Sequence, residues 1–183
     1  MTKELYTEHL HLRKARESDL ESVLNNVWSD KRLSETMLWK NTYTIEDAKD
    51  RLERTIRLQK DNDAFFICIK DSDEVIGFGV IMGKENGIYE ERGICIAVKH
   101  QGKGYGKETL MALLKLAFEV HDAKRFIYSS FADNEKSINL ALSCGFSFLD
   151  SKDMVREKDG MPYICNEYYL NRDDYFSLIE ADK

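Results

Sequence analysis

The stretch Ala97–Val120, AVKHQGKGYGKETLMALLKLAFEV, decides how this chain is read. Gly102, Gly104 and Gly106 stand between an apolar run and Leu110, Leu113, Leu114, Ala117 and Phe118, which line one face of a helix. Glycines so placed let backbone N–H groups converge. A helix beginning there adds its positive N-terminal end, so anionic oxygens are the natural guest. Lys103 and Lys107 would add charge. The plainer alternative is a glycine-rich strand-to-helix turn that holds nothing.

Spacing removes two nucleotide-binding loops. A Walker A loop needs G-x-x-x-x-G-K-S/T, whereas Gly102 and Gly106 are too close and Lys107 is followed by Glu108. A dinucleotide fingerprint needs G-x-G-x-x-G, but position 107 is Lys. That motif also opens a chain of alternating strands and helices, and this loop comes late.

Working outward, His9–Ala15 alternates as a half-buried strand, and Ser18-Asp19 offers an N-cap for a helix carrying Leu20, Val23, Leu24 and Val27. Residues 29–43 are irregular and hold Met37, Leu38, Trp39 and Tyr43. A second helix is expected from Thr44 to about Lys60. Strands are expected over Ala64–Lys70, Val75–Met82 and Tyr89–Val98, separated by turns at 71–74 and 83–87. Beyond the glycine loop come a strand at Arg125–Phe131 and a helix from Asn134 to Ser143 that Gly145-Phe146 closes. Two further strands join near Lys158-Asp159-Gly160. The sum is a single mixed α/β domain over residues 1–183.

Composition narrows the function. A net charge of −6 argues against sequence-independent nucleic-acid binding and fits a basic small partner better. No segment approaches the roughly 18 apolar residues that span a bilayer, so no membrane partner is expected. Cys68, Cys95, Cys144 and Cys165 lie far apart in apolar contexts, and the four histidines form no metal-ligand spacing. Reduced thiols, a cytoplasmic location and no metal are the expectation.

Gln101-Gly102-Lys103-Gly104-Tyr105-Gly106 resembles the Q/R-x-x-G-x-G/A signature of the GNAT superfamily of N-acetyltransferases. Asn134, Ser137 and Gly145-Phe146 resemble its N-x-x-A/S…G-F pattern. More narrowly, EERGICIAVKHQGKGYGKET and the closing REKDGMPYICNEYYLNRDDY are similar to the ribosomal-protein-alanine (RimJ/RimL-like) branch. The resemblance implies a GNAT fold of about seven strands, in a mixed and mostly antiparallel sheet flanked by about four helices. It implies acetyl-CoA as cosubstrate and acetyl transfer to a primary amine, either a protein N-terminus or a small amine, by direct attack in a ternary complex. It also admits a homodimer.

The resemblance assigns parts as well. Gln101, Gly102, Lys103, Gly104, Tyr105, Gly106 and Lys107 would hold the pyrophosphate. The main chain of Ile94, Cys95 and Ile96 would pair with the pantetheine arm and polarise the thioester, and Asn134 would bond that arm or simply cap its helix. Glu91 would be the general base; Glu90, next to it, faces the other side of the strand. Where the family often carries an acidic Tyr, this chain has Ala141. Ser137, Tyr128 or a water takes the role, or no dedicated acid is needed because a thiolate is a tolerable leaving group; Ser137 is our choice. Cys95 invites an acyl-enzyme, yet no base is arranged beside it and a buried strand Cys is the simpler reading. Trp28, Met37, Trp39 and Tyr43 are either core or the wall of an acceptor pocket. Ala141 leaves a second reading, a non-catalytic acyl-CoA-binding or sensing domain, which Glu91 opposes.

Overall fold

The computed structural model describes residues 4–181, and the chain divides into two compact units. One is Met1–Val80 with Gly93–Ala112, the other Ile81–Arg92 with Leu113–Lys183.

In the first unit, β1 (Leu5–Tyr6) pairs antiparallel with β2 (Leu10–Arg13), and β2 with β3 (Asp63–Ile69), in the register Leu10↔Ile69 to Arg13↔Phe66. Next in order come β4 (Val75–Gly83) and β5 (Ile88–Ile96), each of which also contributes to the second unit. Helical segments cover β3: α1 (Leu20–Val23), running on as a π turn over Leu24–Trp28; α2 (Lys31–Glu35); and α3 (Ile45–Asp61). Thr44 caps α3, its hydroxyl accepting from Asp47 N at 3.1 Å, so this helix starts where the sequence places it. Val23, Val27, Trp28, Leu52 and Phe66 form the centre of one core cluster.

Asp19 departs from the local expectation. Its side chain makes no cap to α1. Instead it receives both terminal nitrogens of Arg13 at 2.8 Å, and Arg13, 1% exposed, also donates from Nε to Asp73 at 2.7 Å. A buried guanidinium needs its charge compensated far more than a short helix needs a cap.

In the second unit the start of β5 pairs parallel with β6 (Arg125–Phe131). β6 then pairs antiparallel with β8 (Pro162–Asn171), and β8 with β7 (Ser147–Val155). α4 (Tyr105–Lys115) begins in the first unit and runs on as a π turn over Leu116–Val120; α5 (Glu135–Ser143) and α6 (Arg172–Ala181) follow. Phe118, Phe126, Tyr128, Phe146 and Tyr175 fill this core, with Phe118 and Tyr175 stacked at 4.8 Å. Gly145 closes α5 at φ +82°, a backbone conformation that favours glycine, and a Cβ there would displace the Leu178 side chain of α6.

The mixed, mostly antiparallel sheet is as expected. The counts are corrected: the described residues hold eight strands and six α-helices rather than about seven and four. The additions are the two-residue β1, the short α2 within the irregular stretch, and α6 after the last strand.

Candidate active site

In the first unit the loop between β5 and α4 supplies a cradle. Gly102 and Gly104 have φ of +76° and +85°, a region that side chains resist. A Cβ on either would meet nothing within 4 Å, so glycine is needed for backbone shape while the surrounding space stays open. Lys103 and Lys107 are exposed, and Gly106 lies in the first turn of α4, where backbone amides have no helical partners. This set of donors and charges fits a diphosphate. Tyr105 is half-buried, between His9 at 6.0 Å and His100 at 6.4 Å between ring centroids.

Glu108 anchors the same turn. Its carboxylate accepts from the backbone N of His9 at 2.7 Å and lies 3.0 Å from that residue's Nδ1. Burial works to raise its pKa, but hydrogen bonds from Thr7 and His9 prevail and hold the carboxyl below its ordinary range.

Also in the first unit, the end of β5 carries Ile94, Cys95 and Ile96. Gln101 Nε2 donates to the carbonyl of Ile96 at 3.0 Å, tying the strand to the loop that follows. β4 approaches this segment through Gly77, where a Cβ would stand 1.9 Å from the Cys95 carbonyl oxygen. Cys95 itself is buried, and burial pushes its thiol up to about 12. A buried thiol that keeps its proton is a poor nucleophile.

In the second unit the two neighbouring acids separate cleanly. Glu90, 9% exposed, is paired with Lys84 and with Arg92, the latter at 3.1 Å. Glu91 is half-buried, and its charge reaches Tyr128 and Cys165. The parallel register of β5 on β6 runs from Ile88↔Arg125 to Glu90↔Ile127 and stops there, although β6 continues to Phe131. Glu91 therefore stands at the point where the two strands part.

Opposite, Tyr128 of β6 and Ser137 of α5 share a hydrogen bond of 2.8 Å between their hydroxyls. Burial, and then the negative charge of Glu91, push the Tyr128 phenol above its usual pKa, so it stays protonated at neutral pH. Asn134 caps α5, its Oδ1 accepting from Ser137 N at 3.2 Å. Ala141 is fully buried in α5 and offers no proton. Glu91, Tyr128, Ser137 and Asn134 are thus a protonated phenol and hydroxyl within the influence of a carboxylate, an arrangement able to pass protons.

A family model described as an acetyltransferase (GNAT) domain matches residues 9–147. The chain belongs to the GNAT acetyltransferase family. No curated protein matches it in sequence. Solved structures share its fold at low identity. A GCN5-related N-acetyltransferase from Brucella melitensis has a TM-score of 0.86 at 16% identity, over 99% of this chain and 84% of that one. A ribosomal-protein-S5-alanine acetyltransferase from Vibrio fischeri has 0.76 at 20%, over 95% and 99%. The microcin C7 self-immunity acetyltransferase MccE, in complex with acetyl-CoA and AMP, has 0.78 at 21%, over 90% and 93%.

The acetyltransferase distributes the residues read from its sequence between its two units. The glycine loop, Gln101 and Ile94–Ile96 share the first unit; Glu91, Ser137 and Asn134 share the second. Tyr128, only an alternative in the sequence, lies on the Ser137 hydroxyl. Of the four residues read as core or pocket wall, Trp28 is buried, Trp39 half-buried and Met37 packed on the core, whereas Tyr43 is exposed. Arg51 was missed altogether. The signal was present: on α3, Ala48, Arg51, Leu52, Thr55 and Gln59 recur at helical spacing, which sets an arginine on the inward stripe. Among the described residues no helix is long and apolar enough to cross a membrane, and no group of His, Cys, Asp or Glu is placed to hold a metal ion.

Proposed function

We propose that this GNAT acetyltransferase moves an acetyl group from acetyl-CoA to a primary amine by direct attack. The observation that carries this reading is the convergence of Glu91 with the Tyr128–Ser137 pair at the point where β5 leaves β6. Gly102, Gly104 and the first turn of α4, with Lys103 and Lys107, would hold the pyrophosphate of the donor, and the main chain of Ile94–Ile96 its pantetheine arm. Asn134 supports Ser137 by capping the helix that carries it.

Glu91 takes the proton that the amine must lose, directly or through a water. The amine nitrogen then bonds to the acetyl carbon, the carbon–sulfur bond breaks, and the thiolate is protonated by the Tyr128–Ser137 pair. The buried phenol makes up for Ala141: a proton donor reaches the site from β6 rather than from α5. That removes the ground on which a purely acyl-CoA-sensing domain rested. The similarity to a ribosomal-protein-alanine acetyltransferase supports the RimJ/RimL-like branch, with a protein N-terminus or small amine as acceptor.

The test is thiol release from acetyl-CoA across a panel of amines and N-terminal peptides, comparing wild type with Glu91→Gln. Turnover that collapses in the variant is expected. Absence of turnover with every amine would overturn the reading.

A further inference from the structure

Arg51 of α3 is held between the chain's two tryptophans. Its guanidinium carbon lies 4.7 Å from the ring centroid of Trp28 and 4.7 Å from that of Trp39. Nη1 donates to the Lys40 carbonyl and to Thr42 Oγ1, each at 3.0 Å. Nε and Nη2 meet no acceptor, and no carboxylate pairs with Arg51, Arg54 or Lys40, among the described residues. Arg13, fully buried where Arg51 is half-buried, is by contrast locked onto Asp19 and Asp73. Burial, and then the like charge of Arg54, lower the Arg51 pKa to about 10, so the side chain is still a cation at neutral pH. A desolvated cation left without a counter-charge is costly, and proteins keep one where an anion is to arrive.

Two cavities meet at this residue. One, of about 380 Å³, is walled by the cationic Lys40, Arg51 and Arg54 with Asn41 and Thr42. The other, of about 220 Å³, is apolar and walled by Trp28, Trp39, Phe65 and Phe78 among others. Arg51, Thr55 and Leu58 belong to both. The buried indole Nε1 of Trp39 has no hydrogen-bond partner, a further donor lacking an acceptor on the same wall. Phe78 connects the apolar cavity to the reaction strand, since a Cβ on Gly93 of β5 would lie 3.1 Å from its ring. Among the described residues no acidic side chain lines either cavity.

We propose that these joined cavities are the acceptor's specificity site, taking an amine whose body is apolar and which carries a carboxylate or phosphate bound by Arg51. This rests on the acetyl-transfer reading and deepens it. The Nε–Nη2 edge of this arginine's planar fork suits either oxyanion, and the tryptophans hold it in place by cation–π contact. The overall charge of −6 is then a poor guide to the partner, because the local charge that the acceptor meets is positive.

Trp28 and Trp39 are the chain's only tryptophans, so intrinsic fluorescence reads this site without any turnover. The full-length protein would be titrated with inorganic phosphate and, separately, with hydrocinnamate, at constant ionic strength. A saturable change with at least one of them is expected, weakened about tenfold or more in Arg51→Lys. Thermal melting checks that this variant folds; should it not, Lys40→Gln/Arg54→Gln alters two exposed residues and is expected to weaken the same binding. The two anions distinguish a phosphate from a carboxylate ligand. Matched amines then complete the test: phenylalanine against phenylalaninamide, and phosphoethanolamine against ethanolamine. The charged member is expected to have a kcat/KM about tenfold higher or more, with the preference lost in Arg51→Lys. No saturable response to either anion, binding unaltered in the variants, or equal use of charged and neutral amines would each overturn the proposal. Anion binding with no turnover of any amine would instead overturn the acetyl-transfer reading and leave the anion site standing.

Discussion

The hydroxyls of Tyr128 and Ser137, 2.8 Å apart, join a central strand to the first turn of α5. Neither side chain holds this bond by chance of exposure: Tyr128 is buried, and Ser137 is fixed from behind by Asn134. If the pair protonates the departing thiolate as one unit, Tyr128→Phe should lower kcat roughly 10²-fold. Ser137→Ala should cost less, and the double variant no more than Tyr128→Phe alone. Single-turnover rates with acetyl-CoA check this, and additive losses would show two independent roles.

The same tyrosine makes a prediction at alkaline pH. Burial, then Glu91, raise its folded pKa above the usual value near 10. Burial, then Glu119, do the same for Tyr175, whose hydroxyl lies 2.8 Å from that carboxylate. Above pH of about 10 the unfolded chain loses these protons while the folded chain keeps them, so stability must fall as pH rises through that range. Thermal melts from about pH 9 to about pH 11 should show the decline, and Tyr128→Phe should flatten it.

Glu91→Gln preserves shape and removes the proton acceptor. A loss in kcat/KM of roughly 10² to 10³-fold is expected, with CoA affinity unchanged. Glu90→Gln serves as the comparison, because that carboxylate is already engaged by Lys84 and Arg92. Calorimetry with CoA beside initial rates separates binding from chemistry. Equal losses in the two variants would remove the assignment of Glu91.

Gly104→Ala tests the cradle. At φ +85° an alanine is strained by about 1 kcal/mol, and relief of that strain turns the amides away from the guest. CoA affinity measured by calorimetry should drop by about tenfold, while Gly160→Ala, in a distant turn at φ +72°, carries similar strain and should leave it unchanged.

Asp19→Asn leaves Arg13 buried and half-compensated, and should destabilise by about 3 kcal/mol, read as a shift in the denaturant midpoint. Acid should act on the same network. The hydrogen bond from Arg13 holds the Asp73 carboxyl below its usual range. Its contribution is therefore present above pH of about 4 and is lost as pH falls through the depressed folded value.

What could be read from the sequence was whatever a local requirement fixes. Gly102 and Gly104 were legible because a positive φ leaves few other residues, and Asn134 with Gly145 because caps are written within a few positions of the helix they end. Thr44 announced α3 for the same reason. Asp19 misled because its local offer of a cap lost to Arg13, a partner on a strand, and nothing nearby in the chain declares that preference. Arg51 was hidden because its meaning depends on Trp39, delivered by an irregular stretch whose path no periodicity predicts. Tyr128 was named only as one option for the acid, since its closeness to Ser137 comes from the packing of α5 on β6.

A library of variants built on this chain would sort its glycines into two kinds. At Gly102 and Gly104 a survivor could exist, weakened in donor affinity, because the space beside them is open. At Gly77 it could not: even one methyl group would have to occupy the Cys95 carbonyl oxygen, and the end of β5 would be displaced. The path of Ile94–Ile96, proposed to hold the donor, is thus set by an atom that is missing from the neighbouring strand, and selection has no small step by which to move it.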